Sequence, residues 1–185
     1  MKNMLIIPLL CLCNFSFAQN DTLSNNRLIQ HSLYLEILGS SSNYYNITYD
    51  CTFALSKKHK IALATGVGYD VFDSPSVGVS FQANYLYGFK HHLEIGVGAA
   101  LPELYAPYSG ECTYTNGRRK CTHSDWQFYT RNIVIPVRVG YRYQRSDGGF
   151  FWRIAFVPQF SKAINNVLNI PFLPTPGLSL GYTFK

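Results

Sequence analysis

Apolar and polar residues alternate with a period of two along most of the chain, in stretches bounded by Gly, Pro, Asn, Asp and Ser. Alternation of this kind marks strands that present one face to each of two media. No stretch sustains a 3.6-residue apolar period. The pattern predicts eight strands, near 32–39, 44–53, 60–69, 76–87, 91–101, 131–144, 150–160 and 177–184. Most have roughly the ~9–11 residues that a tilted strand needs to cross a membrane. The longest uninterrupted apolar runs fall short of the ~18 residues of a membrane helix.

The two faces differ sharply. The sixth strand sets Ile133, Ile135, Val137, Val139, Tyr141 and Tyr143 on one side, and the fourth sets Val77, Val79, Phe81, Ala83, Tyr85 and Tyr87. The corresponding face of each strand carries no charge. The opposite faces hold Glu36, Asp50, Glu94, Arg138, Arg142 and Arg153 among Asn, Gln, Thr and Gly. A soluble sandwich would set a polar face rich in Lys and Glu toward water. Here that face has few charges, and three acids balance three arginines. This suits a narrow interior filled by an ion-pair network, with the apolar faces toward lipid, since an unpaired charge inside is costly.

Two further features agree. Short connections follow the second, fourth and sixth strands, whereas the one after the fifth is about 30 residues long. Short inner turns and long outer loops characterise outer-membrane barrels, although the connection after the first strand is also short. With both termini periplasmic, Phe53, Tyr85, Tyr87, Tyr141, Tyr143, Trp152, Tyr182 and Phe184 all fall on the lipid face at the inner rim, where an aromatic girdle belongs.

Composition adds location. The chain has 185 residues with 16% aromatic and only 14% charged, and a formal charge of +6. The charge is too sparse and scattered to indicate nucleic acid as a partner. Residues 1–18 combine Lys2, an apolar core from Met4 to Cys13, and Ser16-Phe17-Ala18, which fits a cleaved signal peptide. Residues 19–31 read as a flexible periplasmic segment, and 32–185 as the barrel domain. Export leaves Cys51, Cys112 and Cys121 in an oxidising compartment.

The segment Ile135-Pro136-Val137-Arg138-Val139-Gly140-Tyr141-Arg142-Tyr143, followed by Gly148-Gly149-Phe150-Phe151-Trp152-Arg153-Ile154 and the closing Gly177-Leu178-Ser179-Leu180-Gly181-Tyr182-Thr183-Phe184, resembles the small eight-stranded outer-membrane barrels of the OmpA/OmpX and OmpW-like group. The resemblance implies an all-β, antiparallel up-and-down transmembrane barrel in the outer membrane of a Gram-negative bacterium. It also implies insertion by the barrel-assembly machinery, for which Tyr182 and Phe184 fit the terminal aromatic signal. Lys185 follows where such chains often end on the aromatic residue. The group has no common catalytic residues.

Within the long connection, Glu111 to Cys121 reads as a hairpin. Asn116-Gly117 is a preferred two-residue type I′ turn. Counting back pairs Thr115 with Arg118, Tyr114 with Arg119, Thr113 with Lys120, and Cys112 with Cys121. The last pair is at a non-hydrogen-bonded site, about 4.5 Å between Cα atoms, within disulfide range. Arg118, Arg119 and Lys120 then form a basic tip suited to an anion, such as lipopolysaccharide phosphate, or to a protein partner outside the cell or in the envelope. The alternative is a solvated loop with incidental charge.

These observations predict a non-enzymatic barrel with a structural or interaction role, without cofactor or metal, surrounded by outer-membrane lipids and lipopolysaccharide. The alternatives are a narrow channel for small or apolar solutes, a lipid-A-modifying enzyme, and a soluble barrel with its apolar faces turned inward. His123-Ser124-Asp125 contains the residue types of a catalytic triad, but three consecutive residues rarely converge into one. His91 and His92 point to opposite faces of a strand and read as interfacial. Asn46-Ile47-Thr48 matches a glycosylation sequon inside a predicted strand.

Overall fold

The computed structural model describes residues 29–40, 43–70, 75–115, 118–128, 132–163 and 172–184, with the side chains of 106–131 and of 163 outside that description. The leader at 1–18, most of the segment expected at 19–31, and the Asn116-Gly117 turn lie outside the described residues.

Nine strands follow in order: β1 (Ile29–Ile37), β2 (Tyr45–Ala54), β3 (His59–Asp70), β4 (Ser76–Gly88), β5 (His91–Thr115), β6 (Arg118–Phe128), β7 (Asn132–Gln144), β8 (Gly149–Ala163) and β9 (Phe172–Phe184). Eight of them form a ring. Each of β1 to β4 pairs with its chain neighbour, β4 pairs with β5, β5 with β7, β7 with β8 and β8 with β9. Antiparallel pairing of β1 with β9, from His31 opposite Phe184 to Ile37 opposite Leu178, closes the barrel. Closure leaves no unpaired edge within the ring.

Several bounds differ from the sequence pattern, three of them informatively. β1 starts at Ile29, because Ile29 and Gln30 already pair with Phe53 and Thr52. β9 starts at Phe172, where Phe172 pairs with Phe160. Prolines 174 and 176 interrupt the alternation there, which hides the strand from a period-two reading. The third difference is larger. The connection after the fifth strand is itself sheet: β5 runs on for 25 residues. Its first half pairs with β4 and β7, and from Tyr105, which also stands opposite Val77 of β4, its second half pairs with β6. The expected sixth, seventh and eighth strands are therefore β7, β8 and β9.

The polarity is inverted relative to a water-soluble domain. Among the described residues, 23 polar or charged side chains are buried, against nine apolar or aromatic ones. The outer wall carries Ile47, Val67, Phe81, Leu93, Ile95, Val97 and Ile154, each more than half exposed. Soluble monomers rarely expose apolar patches beyond a few hundred Å², whereas this surface encircles the ring. The arrangement with apolar faces turned inward is not the one the chain adopts.

Three strand-to-strand turns, at residues 55–58, 89–90 and 145–148, sit at the end where β1 begins and β9 finishes. In the last of these, Arg145 and Asp147 are paired, with Nε donating to Oδ1 at 2.9 Å. That hydrogen bond holds the Asp147 carboxyl below its usual pKa.

Candidate functional site: an ion-paired barrel interior

Period-two alternation sends Tyr34 and Glu36 of β1, Asp50 of β2, Glu94 of β5, Arg138 and Arg142 of β7, and Phe151 and Arg153 of β8 inward. The structure brings all six expected interior charges together, each at most 2% exposed. Arg142 forks onto Asp50, with Nη1 to Oδ2 at 2.9 Å and Nη2 to Oδ1 at 3.0 Å. Arg138 Nη2 donates to Glu36 Oε1 at 2.5 Å. Arg153 bridges two acids, reaching Glu94 Oε1 at 3.1 Å and Glu36 Oε1 at 3.4 Å. Glu94 also stands 4.0 Å from both Arg138 and Arg142. The six groups therefore form one network across the lumen rather than three separate pairs.

Neutral partners take up part of the remaining bonding capacity, while Glu94 Oε2 and the Nε atoms of Arg138 and Arg142 have no hydrogen-bond partner among the described residues. Thr52 donates to Asp50 at 2.8 Å, and Ser40 donates to Glu36 at 2.7 Å. Ser179 accepts from Arg153 Nη2 at 3.0 Å and Nε at 3.2 Å. Gly39, with φ of 112°, turns the chain over Glu36, where a Cβ would stand 2.5 Å from Oε1. A side chain at this position would collide with the carboxylate as well as strain the backbone.

Two aromatic rings share the interior, and pairing of charges alone does not foresee them. The Arg153 guanidinium lies 4.7 Å from the Tyr34 ring centroid, and that of Arg142 lies 4.6 Å from Phe151. Tyr34 and Phe151 contact each other at 4.9 Å. Stacking of guanidinium on an aromatic face is a cation–π contact strengthened by desolvation. The signal was present in parity: Tyr34 shares a face with Glu36, and Phe151 with Arg153. Lys60 also faces inward and is 6% exposed, so the interior holds a fourth cation beyond the three arginines.

Polar layers lie above and below the network. Toward the turns, Gln144 Nε2 donates to Ser32 at 3.1 Å, Ser32 meets Thr183 at 3.0 Å, and Gln30 donates to the Arg145 carbonyl at 2.9 Å. Toward the other end, Gln159 bonds the Gly39 carbonyl and Thr175.

The outward face of the rim at the turn end has its own repeated device. His31, His59 and His91 lie at or within two residues of the start of their strands on the outward face, and each engages through Nδ1 the hydroxyl of a tyrosine on a neighbouring strand of the ring: Tyr49, Tyr85 and Tyr141. In all three the tyrosine lies two residues diagonal to the residue opposite the histidine. Seven of the eight expected girdle aromatics join ring contacts at this rim, among them Tyr141 with Trp152 at 5.1 Å and Tyr182 with Phe184 at 5.2 Å.

The other expected sites fall as follows. Backbone register sets Cys112 opposite Cys121, Thr113 opposite Lys120, Tyr114 opposite Arg119 and Thr115 opposite Arg118. The side chains of these residues, and those of His123, Ser124 and Asp125 in β6, lie outside the described ones. Asn46 of the sequon is 0% exposed and faces the interior. His91 is exposed, while its neighbour His92 is 0% exposed. Among the described residues, no group of three His, Cys, Asp or Glu side chains is arranged to hold a metal ion. No helix there is long and apolar enough to cross a membrane.

Fold and interior together define the class: an all-β closed barrel of eight antiparallel strands, with an apolar outside and an ion-paired inside. No family model and no curated protein matches the sequence. The chain is similar to the crystal structure of the N-terminal β-barrel domain of Pseudomonas aeruginosa OprF, at 13% identity and a TM-score of 0.45, covering 84% of this chain and 96% of that one.

Proposed function

We propose that the protein is an outer-membrane barrel of structural or interaction role, non-enzymatic, which holds the β5–β6 extension outside a Gram-negative cell. The inverted polarity carries this reading. A ring whose outer wall is apolar on every strand needs lipid around it, and a charged network so closely paired suits a plug better than a pore. The turn end, with both strand termini and the aromatic rim, is then periplasmic. Residues 1–18 act as the export signal, residues 19–28 as a periplasmic start, and Tyr182 and Phe184 as the assembly signal. Membrane fractionation with detergent extraction, followed by gels of boiled and unboiled protein, tests it. Outer-membrane residence and a heat-dependent mobility shift are expected. A protein soluble without detergent and lacking the shift would sink the proposal.

The extension is proposed to carry a Cys112–Cys121 disulfide, supported by the register that sets the two residues opposite each other. Closing so short a loop contributes roughly 2–3 kcal/mol. The intact exported protein should gain the mass of two hydrogens on reduction, and Cys112→Ser should abolish that gain. Arg118, Arg119 and Lys120 at the tip are proposed to meet lipopolysaccharide phosphate or an envelope partner.

A narrow channel is the second reading. It is favoured by the buried amide of Asn84 and the Gln82 nitrogen, which have no hydrogen-bond partner among the described residues. Buried polar groups of this kind are ordinarily satisfied by water. Bilayer conductance that changes on neutralising Arg138 or Glu94 would favour the channel over the plug.

A further inference from the structure

At the turn end, two turns meet in a built corner on the outside of the barrel. The Gly88 N–H donates to the Lys58 carbonyl at 2.8 Å, tying the β4–β5 turn to the β2–β3 turn. The Gln144 N–H donates to the Lys90 carbonyl at 2.9 Å, tying the same turn to β7. Gly88 adopts φ of 142°, and a Cβ there would stand 2.0 Å from the His91 carbonyl oxygen. Only glycine allows so close an approach. The corner borders a shallow, largely open pocket of about 390 Å³ lined by Lys58, Tyr87, Gly88, Phe89, Lys90 and His91.

The lining is cationic and aromatic, with no carboxylate. The Lys58 ammonium lies 5.5 Å from the Phe89 ring centroid, a cation–π contact that restrains it at the pocket. Asp147, the acid of the neighbouring β7–β8 turn, is paired with Arg145 and also feels the charge of Lys90, but it does not line the pocket. His91 is oriented by its bond to Tyr141. Directly along the wall, Leu93 stands opposite Tyr87 in register and is 67% exposed, the largest exposure among the apolar side chains of the outer wall. The pocket therefore joins two ammonium groups to a greasy surface running away from the rim.

We infer that this corner binds the headgroup of an anionic phospholipid, with the phosphate between Lys58 and Lys90 and an acyl chain along Tyr87 and Leu93. The apolar continuation distinguishes a lipid from a free anion, which would gain nothing from that wall. Basic residues at the membrane surface attract anionic lipid, and aromatic side chains with one wet and one dry end settle at the same depth. The inference rests on the membrane-embedded reading above.

The test uses the full exported chain in detergent, titrated with phosphatidylglycerol or phosphatidylethanolamine and read by native mass spectrometry. Wild-type protein should retain phosphatidylglycerol in preference to phosphatidylethanolamine. Lys58→Gln/Lys90→Gln should lose that retention by roughly tenfold. Lys57→Gln/Lys162→Gln, which removes equal charge outside the pocket, should keep it. Equal retention by the pocket variant, no preference for the anionic headgroup, or displacement of the lipid by equimolar inorganic phosphate would each overturn the site. The heat-dependent gel shift is recorded for every variant. If the double variant lacks it, Lys58→Gln alone takes its place, since that side chain stands on an exposed turn. A wild type without the shift fails the membrane reading, whereas a wild type with the shift and no charge-selective lipid binding fails this site alone.

Discussion

Replacing Arg153 with methionine is expected to destabilise the barrel by roughly 3–5 kcal/mol, the loss typical when one partner of a buried charge network is removed. The side chain is 0% exposed and joins Glu94, Glu36 and Ser179 while stacking on Tyr34. Methionine fills much of the volume but leaves the three buried acids with two paired arginines, Lys60 forming no ion pair with any of them. Intact ion networks contribute little net stability over a well-packed apolar interior, so the cost lies in the stranded carboxylate. Adding Glu94→Gln to the methionine variant removes one of those charges and should restore part of the loss. Arg153→Lys should rescue poorly, because a single ammonium cannot reproduce the planar fork that reaches two acids and a hydroxyl. Urea unfolding of protein in detergent or lipid, read from the heat-shifted gel band, measures each variant. A methionine variant as stable as wild type, with an unchanged denaturant slope, would show that the network does not hold the fold together.

The second large effect concerns the outer wall. Val97 is 53% exposed in the middle of the barrel-wall half of β5, six residues from the His91 rim and thus roughly 14 Å along the barrel axis for a tilted strand. That depth is near the middle of an apolar band about 25 Å tall. Val97→Arg should therefore cost about 2–4 kcal/mol when the barrel is folded in lipid. In a water-soluble barrel, an arginine at so exposed a position would be close to neutral. The same unfolding measurement separates the two cases. Moving the arginine to an outward position at the rim, such as Tyr87, should shrink the penalty toward ~0–1 kcal/mol, because the side chain can reach the headgroups. A flat response to depth would contradict a lipid-facing wall.

Much of the barrel is legible along the chain. Parity places Arg138 and Arg142 on one face of β7 and Ile135 and Val139 on the other, and Glu36, Asp50, Glu94 and Arg153 follow by the same rule. The hairpin register is legible too, since Asn116-Gly117 sets the pairing of Thr115 with Arg118 and all that follows, down to Cys112 opposite Cys121. Other features resist. The prolines at 174 and 176 conceal the first half of β9, because they break the alternation without breaking the strand. Outside the Glu111–Cys121 hairpin, the stretch from Pro102 to Phe128 lacks clean alternation, which makes the rest of its two strands resemble a loop. Tyr34 and Phe151 enter the lumen although aromatic residues elsewhere favour the wall, and their value there depends on guanidinium groups arriving from other strands.

The sequence by itself determined which face of each strand is apolar, that the interior would hold three acids and three arginines, and that aromatic residues would collect at one rim. These are local properties, because the side-chain period of a strand is set by its own backbone. Only the tertiary structure decided that Arg142 meets Asp50, that Arg153 spans Glu36 and Glu94, that each rim histidine finds a tyrosine on the diagonal, and that Lys58 and Lys90 share one corner. Those meetings depend on the heights at which strands distant in the chain face one another. Heights follow from tilt and stagger, and tilt and stagger are fixed when the ring closes through β1 and β9.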